Sequence, residues 1–478
     1  MSNTFNASVP RFKPSKHGFR FTNSFQLKDL PLGDKIEEQI NQAGYGLCGG
    51  MSHCVHELFN FKQPIPTTST PPKAKTPLHT YLTESLLESF GPRLRDMKKI
   101  LKWYAMPNGT TRLPKLTIGQ LMALKLQLKR RKLVQLMICY NTESNGNQWD
   151  NHQVLAYKIT EKNGKGTIWL YEPNNPKNDN ARIEYTSDSK GVHMQEFDFK
   201  TRAKAADSKT IHGFFLVAPR LENPLSQPSY LLFKGHQFFV NRMRKNLRKS
   251  IYEITSGLVK YTKLTPLEII KLLKNSGYNA TDIARVSKDV LKISADLVIN
   301  LLFKVQFTAG QIAAALNIVY NKTAAWLLPK LLRLGYKAVD VALGIQHHFR
   351  MQLVDLVKAL KKAGVKLATI VILMQRNFRI SNMRTLARML KAARYGTDDI
   401  IKELKSAGLS IKDAIIILRN EFRTSVLSTT RLVRKHFGNK AKDILITLWR
   451  HGNAGVGDMI SVAKKVFGWG KWKLLKLI

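Results

Sequence analysis

A cysteine stands among glycines in Gly46-Leu-Cys-Gly-Gly50, where a turn gives way to the breaker-free run Met51 to Phe59. At the first turn of a helix a thiol is favoured as thiolate by unpaired backbone N–H groups and the macrodipole, which makes Cys48 a candidate nucleophile. The glycines would let the chain turn sharply and a substrate come close. The competing reading makes Cys48 a small buried residue under a tight turn, so its partners decide. A nucleophilic cysteine needs a base within hydrogen-bond reach and a polar group that orients the base. His152, in Trp149-Asp-Asn-His-Gln-Val-Leu-Ala-Tyr157, opens a strand whose other residues read as buried. The next strand, Thr167-Ile-Trp-Leu-Tyr-Glu-Pro-Asn-Asn-Pro176, returns across an Asn163-Gly164 turn. Counting back from that turn brings Glu172 to Asn175 opposite His152, with Glu172 and Asn174 as alternative orienting residues. His53, Cys54 and His56 match no common zinc spacing, and neither metal nor cofactor is expected.

Cysteine at a helix start, histidine on a strand, then a carboxylate or amide beside a proline on the neighbouring strand resembles the papain-like cysteine peptidase superfamily, in particular its bacterial branches that process peptide leaders. In that superfamily a glutamine six residues before the cysteine helps hold the oxyanion, and Gln42 stands six before Cys48. The third residue there is commonly Asn, or Asp before Pro; Glu172-Pro173 departs from that pattern. The segments His17-Gly-Phe-Arg-Phe-Thr-Asn-Ser-Phe25, Gly46–Met51, Asn151–Tyr157 and Tyr171–Pro176 also look like those of a group of bacterial proteins of unassigned activity. The resemblance spans residues 15–220. It implies acyl transfer: His152 takes the Cys48 proton, the thiolate attacks a carbonyl, and the Gln42 amide with the Cys48 N–H stabilises the oxyanion. Water would complete a hydrolysis, and an amine acceptor would make the enzyme a transferase.

The expected fold is α+β followed by an all-α solenoid. Residues 1–45 read as an arm broken by Pro10, Pro14, Pro31 and Gly33, with Phe19, Phe21 and Phe25 alternating as a short edge strand. Residues 46–220 read as the papain-like domain: the Cys48 helix, a proline-rich loop over Pro64–Pro77, helical stretches over His79–Ala105, broken near Gly91-Pro92, and Ile118–Arg131, then an antiparallel sheet. Its strands fall at Leu133–Tyr140, His152–Ile159, Thr167–Tyr171, Arg182–Thr186, Met194–Phe199 and Phe214–Ala218. A linker is expected over 221–250, a helical repeat over 251–463 and a cationic amphipathic tail over 464–478.

The repeat declares itself by a step of 29: Tyr278, Phe307, Tyr336 and Val365, then Tyr395 one residue late, with a second series at Ile293, Lys322, Met351, Ile380 and Leu409. Fixed self-similarity of that length implies stacked helical hairpins. Gly277, Gly335, Gly364 and Gly408 fall where a C-cap wants a left-handed residue. Acidic residues recur in first turns and basic ones in last turns, matching the helix dipole. His347, His348 and His436 read as structural.

Charge is the dominant compositional fact, 77 Lys+Arg against 33 Asp+Glu, net +44. Residues 231–478 hold 45 basic and 14 acidic side chains, net +31. Such a surface attracts nucleic acid or anionic membrane with strong salt dependence. Arg376, Arg379, Arg384, Arg388, Lys391 and Arg394 crowd one part of the repeat, as a solvated face or as an anion-binding stripe. Three cysteines argue against a disulfide framework. Neither a signal peptide nor a spanning helix is read, so any export would follow a signal-independent route. The reading is therefore a thiol-dependent peptidase or amidase of bacterial effector or toxin type, acting on a peptide or protein substrate, with the basic repeat meeting a polyanion or membrane. The alternative is a non-catalytic nucleic-acid- or membrane-binding protein, or a membrane-active toxin, on a degenerate papain-like scaffold. Oligomeric state is left open.

Overall fold

A computed structural model describes residues 4–25, 46–90, 99, 102–103, 106, 112–140, 152–199 and 210–477. The chain divides into two compact units, Met1–Thr265 and Pro266–Ile478. The N-terminal half carries a curled antiparallel sheet and the C-terminal half is helical.

In the first unit, strand β1 (Thr4–Ser8) precedes helices α1 (Cys48–Asn60), α2 (Pro77–Glu88) and α3 (Arg112–Lys129). Strands β2 (Val134–Cys139), β3 (His152–Lys162), β4 (Lys165–Tyr171), β5 (Arg182–Asp188), β6 (Gly191–Phe197), β7 (Thr210–Ile211) and β8 (Gly213–Val217) follow. The sheet order is β7-β6-β5-β4-β3-β2-β8, and β1 pairs with the far half of β3. Helix α3 packs against β1, β6 and β8 together, so the sheet curls around it. Helix α1 lies against α2 and β3. The six expected strands are present within a few residues; β1 and β7 were not anticipated.

Several expectations change. Residues 4–25 are no loose arm: β1 is hydrogen-bonded into the sheet, and Phe12, Phe19, Phe21 and Phe25 are buried in the core. Phe19 to Phe25 form no strand; aromatic burial alone produces that alternation. The stretch 221–250 is not a linker. It contains helices α4 (Pro228–Lys234) and α5 (His236–Lys245), because Tyr230, Leu231, Leu232, Phe239 and Val240 need an apolar partner and find it inside the unit. Helix α6 (Ile251–Tyr261) also belongs there, its Tyr261 hydroxyl 3.2 Å from Glu84 Oε1, so the repeat begins at Pro266 instead of 251. The helical stretch expected from His79 stops at Glu88, close to its expected break at Gly91-Pro92, and residues 99, 102 and 103 are again helical.

The second unit runs through α7 (Pro266–Asn275), α8 (Ala280–Asp289), α9 (Ala295–Lys304), α10 (Ala309–Tyr320), α11 (Ala324–Arg333), α12 (Ala338–Phe349) and α13 (Leu353–Lys362). It continues through α14 (Leu367–Arg376), α15 (Met383–Ala392), α16 (Thr397–Ser406) and α17 (Ile411–Ile416, extended by a wider turn to Glu421). It closes with α18 (Val426–Phe437), α19 (Ala441–His451), α20 (Val456–Phe467) and α21 (Lys471–Leu475). Residues 464–467 of the expected tail therefore complete α20, and only α21 stands apart. Helices two apart in sequence pack side by side, as α8 on α10 and α10 on α12.

Each helix from α7 to α20 is followed by a left-handed residue: Gly277, Lys292, Gln306, Asn321, Gly335, Arg350, Gly364, Arg379, Arg394, Gly408, Arg423, Gly438, Asn453 and Gly468. Gly277, Gly335, Gly364 and Gly408 were legible; the arginines and lysine in the same role were not, because a side chain there is disfavoured locally. The residue after six of these donates its N–H five positions back, as Tyr278 to the Leu273 carbonyl and Phe307 to Leu302, the Schellman closure. Last-turn cations then cap the neighbour: Lys288 Nζ reaches the Val319 carbonyl at 2.9 Å, Lys361 Nζ that of Arg394 at 2.7 Å, and Arg419 Nε that of Gly452 at 2.7 Å. Part of the large positive charge thus satisfies orphan helix-end carbonyls.

Candidate active site

Cys48 is the first residue of α1, and Leu47 at the N-cap brings no side-chain acceptor, so the first-turn N–H groups are not capped by it. The flanking glycines do not make a strained turn: none of Gly46, Gly49 and Gly50 has a positive φ. They permit contact. A Cβ on Gly50 would stand 2.0 Å from the Leu82 carbonyl oxygen of α2, and one on Gly49 2.7 Å from Gln153 Nε2 and from Ser89 Oγ. The helix is thereby pressed onto α2 and onto β3, the strand that carries the base.

Strand β3 opens at His152, paired with Ile138 of β2. On its other side Leu155 faces Tyr171, so Glu172, just past the end of β4, falls beside Val154, and its side chain emerges on the face shared with His152. His152 Nε2 lies 2.6 Å from Glu172 Oε1. With Nε2 so engaged, Nδ1 is the nitrogen left for the Cys48 sulfur, which lies within hydrogen-bonding reach of the ring. All three side chains are buried, Cys48 at 3%, His152 at 7% and Glu172 at 0% exposure. Phe199 sets its ring edge-on to the imidazole, centroids 6.4 Å apart.

Burial alone would lower the His152 pKa. The Glu172 carboxylate and the Cys48 sulfur outweigh it and hold the imidazolium well above its ordinary value. Cys54, one and a half turns along α1, lies in the opposite environment: burial first, then Glu57, push its thiol well above the ordinary range, and it faces Ser85 Oγ at 3.1 Å. Burial raises Cys139 to about 12 against the pull of Lys99. Two of the three thiols are thus held protonated, and Cys48 alone has a histidine.

Of the two candidate orienting residues, Glu172 meets the histidine. Asn174 does not; its side-chain oxygen accepts from Asn23 Nδ2 at 3.1 Å, while its backbone N–H donates to Glu172 Oε1 at 2.7 Å. Asn174 thus fixes the carboxylate. Glu172 Oε2 is buried with no hydrogen-bond partner among the described residues. Gln42, proposed for the oxyanion, lies outside the described residues. His53 pairs with Glu57 at 3.3 Å, which also accepts from Tyr81, Gln227 and the Glu222 N–H. Among the described residues no group of three or more His, Cys, Asp and Glu is arranged to hold a metal ion.

Two features escaped the sequence reading. Beneath Cys48, Gln135 Nε2 donates to the Gly49 carbonyl at 3.1 Å and to Gln153 Oε1 at 2.6 Å, and Gln153 Nε2 donates to Ser89 Oγ at 3.1 Å. This buried amide chain fixes the first turn of α1 to β2 and β3. Tyr140, at the end of β2, donates to Glu196 Oε2 at 2.6 Å, both buried, and is close enough to sense Glu172 and Cys48 electrostatically. Glutamines inside predicted strands were the available signal. Cavities of about 940 Å³ beside β5 and β6 and about 990 Å³ at the far end of α1 are lined by other residues than Cys48, His152 and Glu172.

The six-residue basic group of the second unit is exposed but partly neutralised. Arg388 makes a two-pronged pair with Glu421 at 2.6 and 2.7 Å, Arg384 approaches the same carboxylate at 3.7 Å, and Lys391 donates to Thr397 at 3.1 Å. Arg376, Arg379 and Arg394 stand free of side-chain partners among the described residues, the last two in the left-handed helix-end position. His348 bonds Asn317 and His436 bonds Asp398. No helix among the described residues is long and apolar enough to cross a membrane.

No protein-family model matches the chain, and no curated protein matches it.

Proposed function

We propose that the first unit is a thiol-dependent hydrolase of papain-like type in which Cys48 is the nucleophile, His152 the base and Glu172 the residue that orients it. The observation that carries the reading is the buried pair Glu172 Oε1 to His152 Nε2 at 2.6 Å, with the Cys48 sulfur within hydrogen-bonding reach of the same ring. His152 takes the thiol proton, and the sulfur bonds to the substrate carbonyl carbon. The leaving amine then departs with the proton returned by the imidazolium, and water, activated by the same ring, cleaves the thioester to acid and free thiol. The N–H groups at the start of α1 face the developing oxyanion. Peptides or amides fit this chemistry, in keeping with an effector or toxin of bacterial type.

In this reading the second unit is a solenoid of helical hairpins that delivers the hydrolase to an anionic partner, since its exposed cations exceed those used at helix ends. The test is a panel of peptide and amide substrates offered to the wild type and to Cys48→Ala. Loss of turnover in the variant supports the reading. Turnover that persists, or a Cys48 that reacts with iodoacetamide no faster than free cysteine, overturns it and favours a non-catalytic scaffold.

A further inference from the structure

A second set of cations in the helical unit, apart from the group picked out by sequence, converges on a cleft. A cleft of about 320 Å³ is lined by Arg431, Arg434 and Lys435 of α18 and by Lys465 and Val466 of α20. Four cations surround it with one valine and no acidic residue. Two are anchored: Arg434 donates to the Val466 carbonyl, and Lys435 pairs with Asp398 at 2.6 Å. Arg431 and Lys465 are exposed and have no ion-pair partner among the described residues. Subtracting Asp398 and about half a charge for the C-terminal end of each helix leaves roughly two uncompensated positive charges. Dipole matching accounts for Arg434, Lys435 and Lys465, which fall in last turns, but not for Arg431 held beside them, and Lys465 keeps no carboxylate partner among the described residues.

The cleft continues into an apolar tip. The Arg434 guanidinium lies over the Phe467 ring at 5.6 Å, Phe467 meets Trp469 at 6.4 Å, and Lys473 of α21 lies over Trp469 at 4.4 Å. On α21, Leu474 is buried, whereas Trp472 is 78% and Leu475 45% exposed, three residues apart on one face and flanked by Lys471, Lys473 and Lys476. Trp and Leu beside lysines suit the headgroup boundary of a bilayer, and basic pockets suit phosphorylated headgroups. A nucleic acid would also welcome the cations and the indole, but Leu475 offers no ring on which a base could stack.

We infer that this end of the chain is a membrane-surface site, the cleft taking a multiply phosphorylated lipid headgroup while Trp472 and Leu475 enter the interface. The inference rests on the proposal that the helical unit meets an anionic partner, and names that partner. The full chain is sedimented with phosphatidylcholine vesicles containing phosphatidylinositol bisphosphate, or phosphatidylserine at matched charge, and titrated with free inositol trisphosphate and a short single-stranded RNA. The expected result is preference for the bisphosphate vesicles, weakened by more than ~10-fold in R431E/K465E and less in an R376E/R379E control. Trp472→Ala should weaken vesicle binding several-fold while leaving inositol trisphosphate binding unchanged. Equal binding to both anionic vesicles, or equal loss in the two charge-reversal variants, overturns the site. RNA binding that outcompetes vesicles and is lost in R431E/K465E overturns the lipid assignment and leaves an anionic partner standing. Failure of every probe removes both.

Discussion

The two units treat polar groups in opposite ways. Among the described residues, every buried titratable side chain, including His53, Glu57, His152, Glu172, Glu196 and the three cysteines, belongs to the first unit. The second buries only Ser276, Ser287, Thr429 and Thr430 as polar side chains, and its many charges face water. Desolvation makes a carboxylate or imidazole strong enough to alter its neighbour's protonation, so chemistry belongs where such groups are buried together. Exposed charge acts through the summed field instead, which suits docking. Neither the size of the charge nor its density therefore points to the reactive site; its burial does.

The sharpest way to break the contrast is at the thiol. Cys48→Ala should reduce turnover by ~10³-fold or more with the thermal melt unchanged, and mass spectrometry after brief alkylation should find label on Cys48 well ahead of Cys54 and Cys139. A smaller effect, about 10²-fold, is expected for Glu172→Gln, with a diagnostic pH dependence. Because the His152 pKa is raised, the imidazolium persists above the ordinary histidine value, and the stability it contributes is complete below that value and lost as pH rises through the raised one. Removing the carboxylate should move the alkaline limb of the Cys48 alkylation profile to lower pH. An unmoved limb would leave Glu172 a packing residue.

His56 supplies the opposite sign. Burial, then His53, lower its pKa to about 3, whereas the unfolded chain takes up that proton near 6.5. The first unit should lose stability as pH falls between these values, by about 3 kcal/mol after discounting partial exposure of the ring. His56→Gln should flatten the urea midpoint between neutral pH and about 4.5. Gly50→Ala, forced against the Leu82 carbonyl, should cost about 2 kcal/mol in thermal unfolding, while Gly119→Ala on α3, with open space around it, should be neutral or mildly stabilising. In the second unit the effects shrink. Gly335→Ala, at φ +98, should cost about 1 kcal/mol, and Arg388→Ala, which breaks an exposed pair with Glu421, should leave the melt nearly unchanged. Either of these two second-unit substitutions proving more damaging than Gly50→Ala would reverse the comparison.

Much of this was legible before any coordinates. Alternation placed six strands, the step of 29 and the glycines at 277, 335, 364 and 408 placed the helix ends, and strand counting brought Glu172 near His152. Residues 221–250 were misjudged because short amphipathic helices between Pro224 and Gly235 look locally like turn sequence. The left-handed arginines were invisible because local preference argues against them, and only packing of the next helix imposes that conformation. For the cluster Arg376 to Arg394, read as a solvated face or an anion-binding stripe, sequence could not show that Glu421, a full hairpin away, engages Arg384 and Arg388.

By itself the sequence determined period, composition and order: which segments alternate, which repeat, and that a cysteine precedes a histidine and a carboxylate. Those properties are local, carried by side-chain volume, charge and backbone preference over a few residues. The tertiary structure decided which of Glu172 and Asn174 meets the imidazole, that Gly49 and Gly50 serve contact and not turning, and which cations remain uncompensated. Each depends on groups twenty or more residues apart sharing one desolvated or crowded volume, and only the packed chain sets that distance.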